Sequence, residues 1–218
     1  MKPRTMAQLE EAIGGFSKPG KMPCPSWSIP ATQCNVGRIL HKVEGSVCNG
    51  CYALNGSYRW PNTVKALARR LRKLADLRRW TVDMIEAIER KYRNKAGDDR
   101  VFRWFDSGDV QSLEHLEAIN DVALALPDID FWLPSKEYAV VRQFMRQGRK
   151  AKNLIIRMSA PMIGKAPAPI AGTVGSAVGT DHSPVDGFAC PAYSRDGKCG
   201  PCRACWDPTV ETVVYPLH

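Results

Sequence analysis

Eight cysteines stand in two groups, one toward each end of the 218-residue chain, and their spacing is the feature best able to do chemistry. The second group reads Cys190-x8-Cys199-x2-Cys202-x2-Cys205, within CPAYSRDGKCGPCRAC. Two-residue spacers fold into tight turns, so a C-x2-C-x2-C run gathers three sulfurs around one centre. That triple spacing is the ferredoxin pattern, whereas structural zinc favours two separated C-x2-C pairs. Gly197, Gly200 and Pro201 supply the turns, and Cys190, followed by Pro191, is the natural fourth ligand. The first group is looser: Cys24-x9-Cys34-x13-Cys48-x2-Cys51. Cys48 and Cys51 form a firm pair turned by Asn49 and Gly50, and Cys34 joins them. Cys24 is counted as the fourth ligand, with an ordinary buried thiol as the alternative. The difference is chemical, because three thiolates leave one iron open to a ligand and four close the cluster.

Composition supports a metal reading over disulfides. Residues Met1 to Glu11 carry charge without an apolar signal region, and no apolar run is long enough to cross a bilayer. The expected location is a reducing cytoplasm, where clustered thiols bind metal. The formal net charge is +9. Two four-thiolate centres, each roughly −2 in total, would bring it to about +5, so charge alone argues only weakly for nucleic acid. No membrane association is expected.

The intervening elements must position these sulfurs. Met6 to Ile13 reads as a short helix, and 14–50 as a loop-rich stretch in need of a staple. From Asn62 to Asn94, apolar residues recur at helical spacing after Pro61, with a break expected near Leu77–Trp80. Its other face is basic: Lys65, Arg69, Arg70, Arg72, Lys73, Arg78 and Arg79, with Arg59 just upstream. That face is either a solvated surface or a phosphate-backbone surface spanning 65–79. Then Val101–Phe105, Ile129–Leu133 and Leu154–Met158 read as strands, with Ser112–Leu126 and Lys136–Gln147 as helices between them. This β–α–β–α–β order predicts parallel strands with right-handed crossovers. A weak strand is expected near Thr173–Val178, and the tail ends in an apolar stretch, Val210–Tyr215. The fold class is α/β, a parallel sheet forming a partial or distorted (β/α) TIM-like barrel. It is read as a single domain over 1–218: a cysteine-rich segment at 14–60, a β/α core at 61–180 and a second cysteine segment at 181–218.

In parallel β/α folds, ligands bind beyond the carboxyl ends of the strands. Here those ends carry Asp106-Ser107-Gly108-Asp109, Ser135-Lys136-Glu137 and Arg157-Met158-Ser159. Asp106, Asp109 and Arg157 are the candidate catalytic residues. Asp106, Ser107, Asp109, Lys136, Arg157 and Ser159 are the candidate cofactor contacts. Helix capping by Ser107, Asp109 or Ser135 is the plainer alternative. The histidines His41, His115, His182 and His218 form no metal-ligand spacing, and His115 is expected at a helix surface. Trp27, Trp60, Trp104, Trp132 and Trp206 are expected in the core, with Trp206 shielding a cluster from water.

SVCNGCYALNGSY, FRWFDSGDV, LIIRMSAP and CGPCRACWD resemble the bacteriophage gene product 88 family, over roughly Lys21 to the C-terminus. The resemblance implies a phage origin and hence a host bacterial cytoplasm. The Cys-rich segment followed by β/α units is also remotely similar to radical S-adenosylmethionine enzymes, although their C-x3-C-x2-C run is absent here. The expected function is therefore a two-cluster iron–sulfur protein, [4Fe–4S] in type, with redox or radical chemistry, an unidentified electron donor and S-adenosylmethionine as a candidate ligand. In that reading Asp106 and Asp109 bind its ammonium or ribose hydroxyls and Arg157 its carboxylate. The alternatives are a zinc-stapled nucleic-acid-binding protein and clusters serving electron transfer or structure without catalysis.

Overall fold

The computed structural model describes residues 3–97 and 100–217; His218 lies outside them. The order is α1 (Met6–Ile13), β1 (Ser26–Trp27), α2 (Asn35–Leu40), α3 (Pro61–Lys73), α4 (Leu77–Tyr92), β2 (Val101–Trp104), α5 (Leu113–Ala125), β3 (Asp130–Ser135), α6 (Tyr138–Met145), β4 (Leu154–Ser159), β5 (Val174–Gly179), β6 (Phe188–Ala189) and β7 (Thr212–Pro216). One sheet takes strands from both cysteine-bearing regions, in the order β1-β2-β3-β4-β5-β7-β6. Every pairing is parallel.

The helix boundaries follow from local chemistry. Thr5 and Gln8 form a reciprocal capping box at α1, and Gly14 ends it in the left-handed region at φ 79°. Pro61 occupies the first turn of α3, where its missing N–H costs nothing. Asp76 accepts the Arg79 N–H to start α4, which is why the long periodic stretch breaks there. Ser112, rather than Ser107 or Asp109, caps α5 by accepting the His115 N–H at 3.2 Å.

The strands alternate strictly between two environments. Phe102, Trp104, Phe131, Leu133, Leu154, Ile156 and Met158 pack against the buried stripes of α1, α4, α5 and α6. Val101 and Trp132 point the other way, into a smaller cluster made with Cys24, Trp206, Met22, Cys205 and Tyr215. One face of the sheet is thus covered by helices and the other by the cysteine-bearing segments. That double burial is why the strands read as short apolar runs.

Two expectations need correction, while the loop-rich stretch 14–50 contributes the short β1 and α2. Trp60 is 65% exposed rather than in the core. His115 is 1% exposed rather than at the surface. It lies edge-on to Trp27, Trp80 and Phe105, on the inner side of α5, because Leu116 and Ile119 hold that side against the sheet.

Burial pushes His115 down to about 3, so the folded protein keeps it neutral while the unfolded chain takes up a proton near 6.5. Stability that is complete above pH 6.5 is therefore lost as the pH falls toward 3. By pH 5 the loss is about 2 kcal/mol at 1.36 kcal/mol per pH unit. Urea unfolding at pH 7 and pH 5 should show this drop in the parent and a smaller one in His115→Phe. Equal drops would mean that His115 is not the titrating group.

Candidate metal centres

Three strand ends hold the segment that carries Cys34, Cys48 and Cys51. At the end of β2, Tyr52 Oη donates to the Asp106 carbonyl at 2.5 Å and Tyr58 Oη to the Asp106 carboxylate at 2.8 Å. At the end of β3, Glu137 accepts the Val36 N–H at 3.0 Å. Beyond β4, the Val47 N–H meets the Pro161 carbonyl and the Ile163 N–H meets that of Gly45. Cys34 is the residue preceding α2, and Cys48 leads into a turn closed by the Cys51 N–H to the Cys48 carbonyl. Gly37 lets the two approach. A Cβ there would lie 2.9 Å from Cys34 Cβ, 3.5 Å from its Sγ and 3.7 Å from Cys48 Sγ. Both sulfurs therefore flank one point that only glycine leaves open.

The turn after β2 is built tightly. Phe105 has φ 55°, a left-handed conformation unusual for an aromatic residue. Gly108 has φ 83°, and a Cβ there would meet Ile29 Cγ1 at 2.4 Å. This turn presents two carboxylates to different surroundings. Asp106 is bonded by the hydroxyls of Ser26, Ser28 and Tyr58. Burial works to raise it, but Arg103 and those hydroxyls outweigh burial and hold it below the ordinary range. Asp109 accepts from Ser135 Oγ at 2.7 Å and from the N–H groups of Val110 and Lys136, each at 2.8 Å. For Asp109 burial dominates and the carboxyl is raised. Ser107 donates to the Ile29 carbonyl, and Ser176 donates to Ser159 Oγ. Asp106 and Ser107 bond the cysteine-bearing segment through Ser26, Ser28, Tyr58 and Ile29, Asp109 bonds the end of β3, and Ser159 bonds β5.

The C-terminal cysteines occupy the sheet face opposite the helices. The Cys190 N–H bonds the Val214 carbonyl, and Cys205 Sγ lies 3.3 Å from Tyr215 Oη. The Cys199 N–H bonds the Lys21 carbonyl at 3.0 Å, and the Cys202 N–H that of Cys199. Cys24 is buried within this second assembly, among Trp206, Trp132 and Cys205. The structure thus separates it from Cys34, Cys48 and Cys51, its companions in the sequence grouping. Burial pushes the Cys24 thiol up to about 12 and the Cys205 thiol up to about 11.

Arg157 has a use different from the one expected. It is fully buried, and its five N–H donors meet five main-chain carbonyls: Cys205 from Nε, Gly175 and Val210 from Nη1, Ala204 and Asp207 from Nη2, at 2.6–3.0 Å. A guanidinium has five donors, so none is left for a substrate carboxylate. Arg103, which the sequence reading passed over inside an apolar strand, stacks 4.4 Å from the Trp132 ring centre and donates to Met22 Sδ at 2.9 Å. Trp132 in turn packs edge-on to Trp206, whose Nε1 donates to the Phe102 carbonyl at 2.8 Å. Alternation along β2 was the available signal, since residue 103 shares a face with Val101 and not with Phe102.

The basic helix is partly structural. Arg70 is buried, donating to the Gly15 carbonyl and Ser17 Oγ, and Arg69 donates to the Gly14 carbonyl. Arg79 pairs with Asp83 at 3.0 Å. Lys65, Arg72 and Arg78 remain exposed.

Replacing Arg157 should release the tail. Arg157→Met leaves buried carbonyls without donors, at roughly 1–3 kcal/mol for each one left unsatisfied. Thermal unfolding should show a total loss of at least about 3 kcal/mol, and limited proteolysis should cut first between residues 199 and 210. Arg157→Lys, with three donors on a single nitrogen, should recover less than half of the loss. Parent-like melting of the Met variant would show that the hub does not hold the tail.

Among the described residues, no group of three or more His, Cys, Asp or Glu side chains is arranged to hold a single metal ion, and no helix is long and apolar enough to cross a membrane. No curated protein and no solved structure matches the chain. A sequence-family model described as Gene product 88 matches residues 2–208. The match spans nearly the whole chain, both cysteine groups included, and the protein belongs to the phage gene product 88 family.

Proposed function

We propose that the protein holds two iron–sulfur centres, one at the carboxyl edge of the sheet and one on the face away from the helices, and that it works in electron transfer or redox chemistry. The carrying observation is electrostatic. Arg103 and Arg157 are both directed into the face where Cys24, Cys199 and Cys205 gather. Among the described residues Arg157 has no carboxylate within ion-pair distance, whereas Arg103 acts on Asp106. Buried charge is normally paired. Thiolates on a cluster would supply the missing negative charge, and a bound cation would reverse the burial that holds these thiols neutral.

The donor chemistry also favours a cluster over a lone ion. A single tetrahedral zinc draws sulfurs to about 2.3 Å from one point. A cuboidal cluster holds its thiolates farther apart, because each binds a different iron. The C-x2-C-x2-C run of Cys199, Cys202 and Cys205 has the spacing of the second arrangement.

Such centres supply one-electron transfer. The protein's own groups set the conditions around them. Trp206, Trp132 and Tyr215 keep water from the second centre, Arg103 offsets its charge, and Arg157 fixes the backbone of Cys205. The barrel reading is part of this proposal: strands covered by helices on one side and by ligand-bearing segments on the other suit a curled, partial (β/α) barrel.

Protein purified without oxygen should be brown and contain iron with acid-labile sulfide. Cys48→Ser and Cys199→Ser should each lose about half of both, and the Cys199 variant should become protease-sensitive beyond Asp181. Stoichiometric zinc without sulfide would overturn the proposal in favour of a zinc-stapled protein. Melting and digestion of Cys199→Ser like the parent would remove any structural role for the second centre.

A further inference from the structure

We infer that the eight thiols divide three and five rather than four and four. Cys24 lies with the second centre, where five thiols stand for a cluster's four positions, and the centre held by Cys34, Cys48 and Cys51 keeps one coordination position open to a small external Lewis base. This rests on the two-centre reading above and specifies which centre can bind a ligand.

Chain order would assign Cys24 to the first group; packing assigns it to the second. Its side chain is buried with Trp206, Trp132, Met22 and Cys205. The preceding chain is fastened there by the bond from the Cys199 N–H to the Lys21 carbonyl. The segment after Cys24 enters β1, with Ser26 beside Arg103 and Trp27 beside Trp104. Arg103 donates to Met22 on the same side. The charges that act most on the Cys24 thiol agree: Arg103, Cys199, Arg203 and Lys95. Conversely, those acting on Cys34 are Asp109, Cys51, Cys48 and Glu137.

The other oxygen donors near the first centre are already engaged. Asp109 accepts three hydrogen bonds from Ser135, Val110 and Lys136, and Glu137 accepts the Val36 N–H. The imidazole of His41 donates Nδ1 to the Cys48 carbonyl at 3.0 Å, and the residue is exposed. It is a competitor for the open position, so the experiment includes it. The location suits a ligand site, since the segment caps the carboxyl ends of β2, β3 and β4.

Two measurements test the inference. In dithionite-reduced, iron-loaded protein, the paramagnetic signal lost in Cys48→Ala marks the first centre. Cyanide should shift that signal in the parent and leave the second centre's signal unmoved. Cys24→Ala should perturb only the second signal. Loss of the first signal in Cys24→Ala, or a first centre that responds to cyanide only in Cys24→Ala or His41→Ala, would overturn the inference. In metal-free protein, the thiol-bridging reagent dibromobimane should join Cys24 to a cysteine of the 190–205 group, as read by peptide mass spectrometry. Bridging to Cys34, Cys48 or Cys51, or no bridge at Cys24, would overturn it. If the protein takes up no iron the two-centre reading fails, and the bridging result alone then decides where Cys24 belongs.

Discussion

A buried guanidinium with no carboxylate beside it must draw its stabilisation from oriented dipoles, and Arg157 does so with five carbonyls from two separate regions. Gly175 belongs to β5, while Ala204, Cys205, Asp207 and Val210 belong to the tail. Bonds to a charged donor are stronger than neutral ones, and here they convert a turn-rich segment with little apolar content into a fixed lid on β4. The placement of Trp206 over Trp132, of Cys205 beside Tyr215 and of β7 beside β5 all depend on that anchorage. The side chain that looked most like a substrate clamp is thus the one that makes the second cysteine assembly possible.

The two halves of the cysteine set are held by different physics. The second assembly is packed: aromatic rings, a stacked arginine and main-chain bonds to β7 surround it. The first is suspended by polar bonds from three strand ends. Asp106 and Asp109, three residues apart, settle on opposite sides of the ordinary carboxylate range. One has an arginine and three hydroxyls, whereas the other relies on one hydroxyl and two N–H groups at greater burial cost. The left-handed Phe105 turns the chain into Asp106, and the crowded Gly108 turns it between the two carboxylates. Backbone strain at a strand end is the usual companion of a working site.

Much of this was legible in the residues. The central β–α–β–α–β run was readable because each strand there is an apolar run beside periodic helices, and the break between α3 and α4 is where Asp76 can cap. The edge strands were not readable, since β1 and β6 span two residues each and exist only through their neighbours. His115 was misplaced because a polar residue on a helix is ordinarily solvated, and only the ring cage around it reveals otherwise. Arg103 was missed because one charge inside VFRWF looks like noise until the opposite face of the strand has an occupant. Cys24 could not be assigned from spacing, because nine intervening residues constrain no geometry, while a single bond from Cys199 to Lys21 does.

The sheet order has a consequence in time. β7 lies between β5 and β6 although it follows both in the chain. Residues 188–189 therefore have no strand to join until 212–216 have been synthesised, and the outer edge of β5 stays bare until then. An uncovered edge is open to pairing with other chains, and parallel strands that must wait for distant partners form late. Cys190, directly after β6, accordingly reaches its neighbours after Cys199, Cys202 and Cys205 have all been made.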